Sequence, residues 1–174
     1  DNESYFSGPK PYGDWLYDLE KFSFFCNAAL SALPVIGFKP DVVHCHDWQT
    51  GLIPVYLKDR FRGGEFFAKS VMTIHNLKFQ GVWDVKTIQR FSMLPDYYFT
   101  PDKLEAYKDG NMLKGGIVFA DAITTVSQTY AEEIKMPFYG EGLDGLMRAR
   151  AGDLRGIVNG IDYDEFNPET DKLI

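Results

Sequence analysis

The chain has only three histidines, and each stands where an apolar, strand-like run ends. Asp41-Val42-Val43-His44-Cys45-His46-Asp47-Trp48 carries two of them. Ser70-Val71-Met72-Thr73-Ile74-His75-Asn76 carries the third. In open α/β sheets, ligands bind outside the carboxyl ends of the parallel strands, so polar residues placed there are site candidates. Two more strand-like runs end in Ser127 and in Asn159-Gly160. If all four strands are parallel, these residues gather on one rim. Ser127 directly precedes a helical segment and also reads as a helix cap. Asn159 before Gly160 reads equally as a turn residue and as a ligand contact.

Several chemistries compete for these residues. His44 and His46, at i and i+2 on a strand, project from one face, as two ligands of a zinc ion would. A third ligand would have to come from His75, Asp47 or another carboxylate, because no cysteine lies at metal spacing. That arrangement would make a metal-dependent hydrolase. The plainer reading makes His44 a packed, hydrogen-bonded histidine. A serine hydrolase is disfavoured, because no Gly-x-Ser-x-Gly elbow exposes a nucleophile. No P-loop occurs, and no Gly-x-Gly-x-x-Gly follows a strand. The glycine-rich run Gly140–Gly145 follows a helix, so it lacks the setting of a phosphate cradle. Lys114-Gly115-Gly116 sits inside a helical run, where two glycines cost about 1 kcal/mol each. Close approach of a neighbouring element is the expected reason. Lys114 itself reads first as a solvated lysine, with a carboxylate or ligand partner as the alternative.

Composition narrows the field. The 174 residues can bury one core. The net charge of −7 disfavours a nucleic-acid backbone as partner. No stretch approaches the roughly 20 apolar residues of a membrane span. Cys26 and Cys45 lie in apolar runs and are expected as reduced, buried thiols, which suits a cytoplasmic protein. Among the 27 aromatics (14 Phe, 10 Tyr, 3 Trp) most belong in the core, Phe22, Phe24 and Phe25 included. Tyr and Trp near the polar strand ends are the better candidates for stacking on a ligand.

The elements that must position these residues alternate. A long helix is predicted over 12–35, with Asp14 as N-cap. A strand follows at 42–46, a helix at 50–61 before Gly63-Gly64, and a strand at 70–75. Residues 77–109 read as irregular, with one short helix near 85–91. A helix at 111–119, a strand at 122–126 and a helix at 128–135 come next. After the glycine-rich loop come a short helix at 146–150 and a last strand at 155–158. Short apolar strands alternating with helices predict an α/β fold, a Rossmann-like parallel sheet with helices on both faces. Both chain ends read as cut from a longer protein.

Five segments in register resemble one family. Asp41-Val-Val-His-Cys-His-Asp-Trp-Gln-Thr-Gly-Leu52 closely resembles the signature of bacterial glycogen synthases and plant starch synthases. So do Met72-Thr-Ile-His-Asn-Leu-Lys-Phe-Gln-Gly81, Asn111-Met-Leu-Lys-Gly-Gly-Ile117, Ala122-Ile-Thr-Thr-Val-Ser127 and Gly156-Ile-Val-Asn-Gly-Ile-Asp162. The resemblance runs from about Tyr12 to Asp171. It implies the GT-B architecture, two Rossmann-like domains with the active site in the cleft between them. It also implies retaining transfer of glucose from ADP-glucose (UDP-glucose in some members) to the 4-hydroxyl at the non-reducing end of an α-1,4-glucan. No metal or other cofactor is implied.

By that resemblance, Asp47 and Trp48 lie at the sugar-transfer centre, with the indole offering an apolar face to a pyranose ring. His75 contacts the donor glucose and favours positive charge at the anomeric carbon. Asn159 hydrogen-bonds the donor sugar. Tyr12, in Pro-Tyr-Gly-Asp, and Gln80 line the cleft. His46 supports these groups from behind. The family's Lys-x-Gly-Gly-Leu motif is absent, and so is a second domain. Residues 1–174 are therefore expected to form an incomplete N-terminal lobe, inactive by itself. A non-catalytic glucan-binding module is the remaining alternative.

Overall fold

In a computed structural model, residues 3–8, 10–61 and 68–171 are described; Gly63-Gly64 lie outside them. A single turn, α1 (Glu3–Phe6), precedes the long α2 (Trp15–Val35). The main sheet is built from β1 (Val42–His46), β2 (Lys69–Ile74), β6 (Ala122–Thr125) and β7 (Leu154–Gly156). Its order is β1-β2-β6-β7 and every pair is parallel. The intervening helices are α3 (Leu52–Asp59), α5 (Met112–Phe119) and α6 (Gln128–Glu133), with α7 (Asp144–Ala149) before β7.

Helix starts follow local chemistry. Asp14, Asn111 and Ser127 each accept the backbone N–H three residues on, satisfying a donor the helix cannot. Ser127 is thus a cap, as its position suggested. One set of strand residues, including Cys45, Met72, Ile74 and Ile123, is fully buried. The alternate set is not: Val42, His44 and His46 are exposed. Both cysteines are free and buried, and burial pushes the Cys45 thiol up to about 12.

The two mid-helix glycines have a packing reason. A Cβ on Gly116 would lie 2.3 Å from Met72 Cε and 3.1 Å from the Cα of Gly51, at the start of α3. Only bare backbone lets α5, α3 and β2 meet this closely.

Residues 77–109 are more ordered than their sequence suggests. The short β3 (Val82–Asp84), β4 (Glu105–Ala106) and β5 (Asp109–Asn111) form a three-stranded antiparallel sheet in the order β3-β5-β4. Between them lies α4 (Val85–Ser92). Strands of two or three residues rich in Asp, Gly and Asn carry neither period nor propensity. Lys114 is not solvated either. It is 8% exposed, and its ammonium donates to the carbonyls of Pro101 and Glu105, clamping this small sheet to α5. Desolvation lowers its pKa, opposed by the charges of Glu105 and Asp102. Phe24 and Phe25 also depart from the expected core. Both remain exposed, against the rings of Tyr5 and Phe6 respectively.

Candidate active site

Because the four strands are parallel, their polar ends do share one rim. At its centre β1 and β2 pair in register, with His46 opposite Thr73. Asp47 continues the ladder by one bond, its N–H donating to the Thr73 carbonyl at 2.9 Å. Then its backbone breaks away, at φ 54° and ψ −170°. That region is all but reserved for glycine and costs about 1–3 kcal/mol for other residues. The turn swings the carboxylate over the end of β2. There Oδ1 accepts the His75 N–H at 2.8 Å, replacing the next rung of the ladder. The other carboxylate oxygen takes no hydrogen bond among the described residues. Thr50 secures the turn, its hydroxyl accepting the His46 N–H at 2.6 Å and donating to the His46 carbonyl at 2.8 Å.

The three imidazoles form a row along the exposed side of these strands. His44 and His46 have ring centroids 4.3 Å apart, and His46 and His75 are 5.3 Å apart. His44 Nε2 lies 2.6 Å from Thr73 Oγ1, which lies 2.6 Å from Thr124 Oγ1. His44 is therefore hydrogen-bonded, as its plainer reading held, but on an open face rather than in a packed one. His46 Nδ1 lies 3.0 Å from His75 Nε2. Burial, then the neighbouring His44 and His75, lower the His46 pKa below the ordinary histidine value. Among the described residues no three His, Cys, Asp or Glu side chains are grouped to hold a metal ion. The i,i+2 pair thus finds no third ligand for the hydrolase reading.

A cleft opens beside Asp47, lined by Tyr12, Asp47, Trp48, Gln49 and Phe79. Tyr12 is exposed and its hydroxyl accepts from Gln49 Nε2 at 2.8 Å. Trp48 lies mostly under the floor. It is 9% exposed, packed against Phe22 at 5.1 Å and Trp83 at 5.4 Å. Gly81, at φ +64°, presses on it so closely that a Cβ would sit 2.5 Å from the indole. Little of the indole face is left for a sugar.

A second exposed aromatic at this cleft, beside Tyr12, is Phe79, at 60% exposure, a residue type that the preference for Tyr and Trp leaves out. Its signal is position: a large apolar residue four places beyond His75, flanked by Lys78 and Gln80. Gln80 is spent on structure. Its amide donates to the carbonyls of Leu77 and Glu141 and accepts from Asn111. It lines a shallower depression with Trp15, Trp48 and Phe79. Asn159 is exposed on the loop after β7, on the same rim but three strands from Asp47.

Known proteins place this arrangement. Residues 1–149 match the family described as the starch synthase catalytic domain. The chain is 71% identical over its whole length to a glycogen synthase of Lachnospira eligens, covering 37% of that protein. It is 53% identical to one from Thermosipho africanus, with 99% of this chain and 36% of that protein covered. The catalytic domain of starch synthase IV from Arabidopsis thaliana, bound to ADP and acarbose, superposes with a TM-score of 0.83 at 35% identity. That match covers 95% of this chain and 34% of that one. The chain thus spans little more than a third of the proteins it matches, with the same α/β fold. It belongs to the starch synthase catalytic domain family.

Proposed function

We propose that this chain forms one wall of a cleft in which an α-1,4-glucan is lengthened. Glucose passes from a nucleotide sugar, ADP-glucose, to the 4-hydroxyl at the non-reducing end, with retention of configuration. The reading rests chiefly on Asp47. Its backbone is held in a costly conformation, and the result is one carboxylate oxygen anchored to β2 and the other left free beside an open cleft. Strain of this kind persists where function requires it. The related proteins are glycogen synthases, and the Arabidopsis relative carries ADP and acarbose, which agrees with a nucleotide and a glucan-like ligand in one cleft.

Departure of the nucleoside diphosphate builds positive charge on the sugar ring and negative charge on the leaving group. The free oxygen of Asp47 and the His75 imidazole, fixed in advance, favour the first. Tyr12 and Phe79 offer ring surface to the sugars, Trp48 underlies them as part of the cleft floor, and Asn159 brings a hydrogen-bonding amide from the far end of the rim. No metal or other cofactor enters this scheme, and a nucleic-acid or membrane partner has no part in it. No helix among the described residues is long and apolar enough to cross a membrane. The setting we propose is the cytoplasm, where nucleotide sugars are available.

The test places this chain in the matching segment of the Lachnospira eligens enzyme and measures glucose transfer from ADP-glucose to glycogen. Asp47→Asn should slow transfer by about a hundredfold or more. An unchanged rate would leave only a glucan-binding role. The 174 residues alone should show no turnover, and near-native turnover there would sink the one-wall reading.

A further inference from the structure

The contact between His46 and His75 has a chemical consequence beyond bringing two polar residues together. Two imidazole nitrogens 3.0 Å apart cannot both carry a proton, and cannot both lack one, without repulsion. One proton is shared, so the tautomer of either ring fixes that of the other. Among the described residues this is also the only hydrogen bond made by the His75 ring.

His46 is in turn well held. Its backbone is tied twice to Thr50, and its ring lies over His44, which is anchored through Thr73 to Thr124 on β6. His75, by contrast, ends β2 and opens onto the rim. Its backbone N–H is tied to Asp47, and among the described residues its ring makes no hydrogen bond except to His46.

We propose that His46 is a positioning residue: through the Nδ1–Nε2 contact it locks the exposed His75 ring into a single tautomer and orientation. His75 then presents its remaining nitrogen, Nδ1, in one fixed protonation state. A neighbour that sets which nitrogen carries the proton is a recurrent way of fixing a functional histidine. The tautomer claim concerns this chain alone; its kinetic consequence rests on the transferase reading above.

With only three histidines, the full chain labelled with ¹⁵N reports directly on this. Long-range ¹H–¹⁵N spectra recorded near pH 8, above the ordinary histidine pKa, distinguish the two neutral tautomers. Wild type should show His75 as one tautomer. His46→Ala should turn it into an averaged mixture. A mixture in wild type, or a single tautomer surviving in His46→Ala, overturns the proposal. Should His46→Ala fail to fold, His46→Gln serves, because its longer amide misses the Nδ1 position and should leave the mixture.

In the chimeric enzyme, His46→Ala should lower kcat roughly ten- to a hundredfold with KM nearly unchanged. A mixed His75 tautomer with undiminished kcat would uphold the lock and instead overturn the role of His75 in transfer.

Discussion

Two aspartates stand at opposite ends of the same sheet and are treated in opposite ways. Asp121, just before β6, is saturated. Its carboxylate accepts the Ser70 N–H at 2.9 Å, the Ser70 hydroxyl at 3.1 Å, and the ammonium groups of Lys58 and Lys69 at 3.1 Å each. Burial alone would raise its pKa, but these donors outweigh burial and hold it down at about 2. Its backbone continues the sheet without strain, donating to the Ser70 carbonyl. Asp47, at the carboxyl end, accepts one backbone N–H, sits in a strained conformation, and keeps an oxygen free. At the amino end the carboxylate is fully engaged, and at the carboxyl end an acceptor stays open beside a cleft. Paired strands leave a fixed, shared edge at each end, and satisfying every polar group at one of them makes it possible to leave groups unsatisfied at the other.

The sharpest way to break this contrast is to exchange the consequences. Asp47→Asn in the chimeric enzyme should cost about 3 kcal/mol in transition-state stabilisation. In urea unfolding of the 174-residue chain it should cost less than about 1 kcal/mol, because an amide oxygen can still accept the His75 N–H. A comparable loss in both would erase the distinction. Asp121→Ala should do the reverse. It should lower folding stability by about 2 kcal/mol, mostly by leaving the Ser70 N–H unpaired, since half-exposed lysine pairs add little. The rate per folded chimeric molecule should not change.

Asp47→Gly sharpens the comparison further. Glycine adopts this backbone freely, so the relief of strain should offset the lost His75 bond and leave the chain as stable or about 1 kcal/mol more stable. Transfer should nevertheless be abolished. Clear destabilisation would mean that the conformation of Asp47 is not strained. The smallest effect is acid dependence. His46 has a lowered folded-state pKa, so the unfolded chain binds its proton first as pH falls. The stability tied to its neutral form is complete above about pH 6.5 and is lost as pH drops below that. His46→Asn should flatten that part of the profile. The loss tied to Asp121, from about pH 4 down towards 2, should persist in that variant.

Much of this was legible in the chain. The boundaries of β1, the end of α2 at Val35 and the caps Asp14 and Ser127 follow from local pattern and local hydrogen-bonding chemistry, although α2 starts at Trp15 rather than at residue 12. So does the double glycine of α5, a marker of close packing. What could not be read depends on residues far apart in sequence. Trp48 has the composition of a stacking platform, yet Phe22, Trp83 and Gly81 close over it. Gln80 looks like a cleft residue but is consumed by Leu77, Asn111 and Glu141. Lys114 looks solvated until the β4–β5 segment folds across it, and that segment has no strand-like pattern of its own.

The sequence alone determined the strand ends and which polar residues they carry, because hydrophobic periodicity and capping act over a few residues. It also settled the family, through five ordered motifs. Only the tertiary structure decided which of those groups meet. His46 and His75 are 29 residues apart, and their ring nitrogens come within 3.0 Å because β1 and β2 pair in this register. A slip of one residue would turn every side chain of the strand to the opposite face of the sheet.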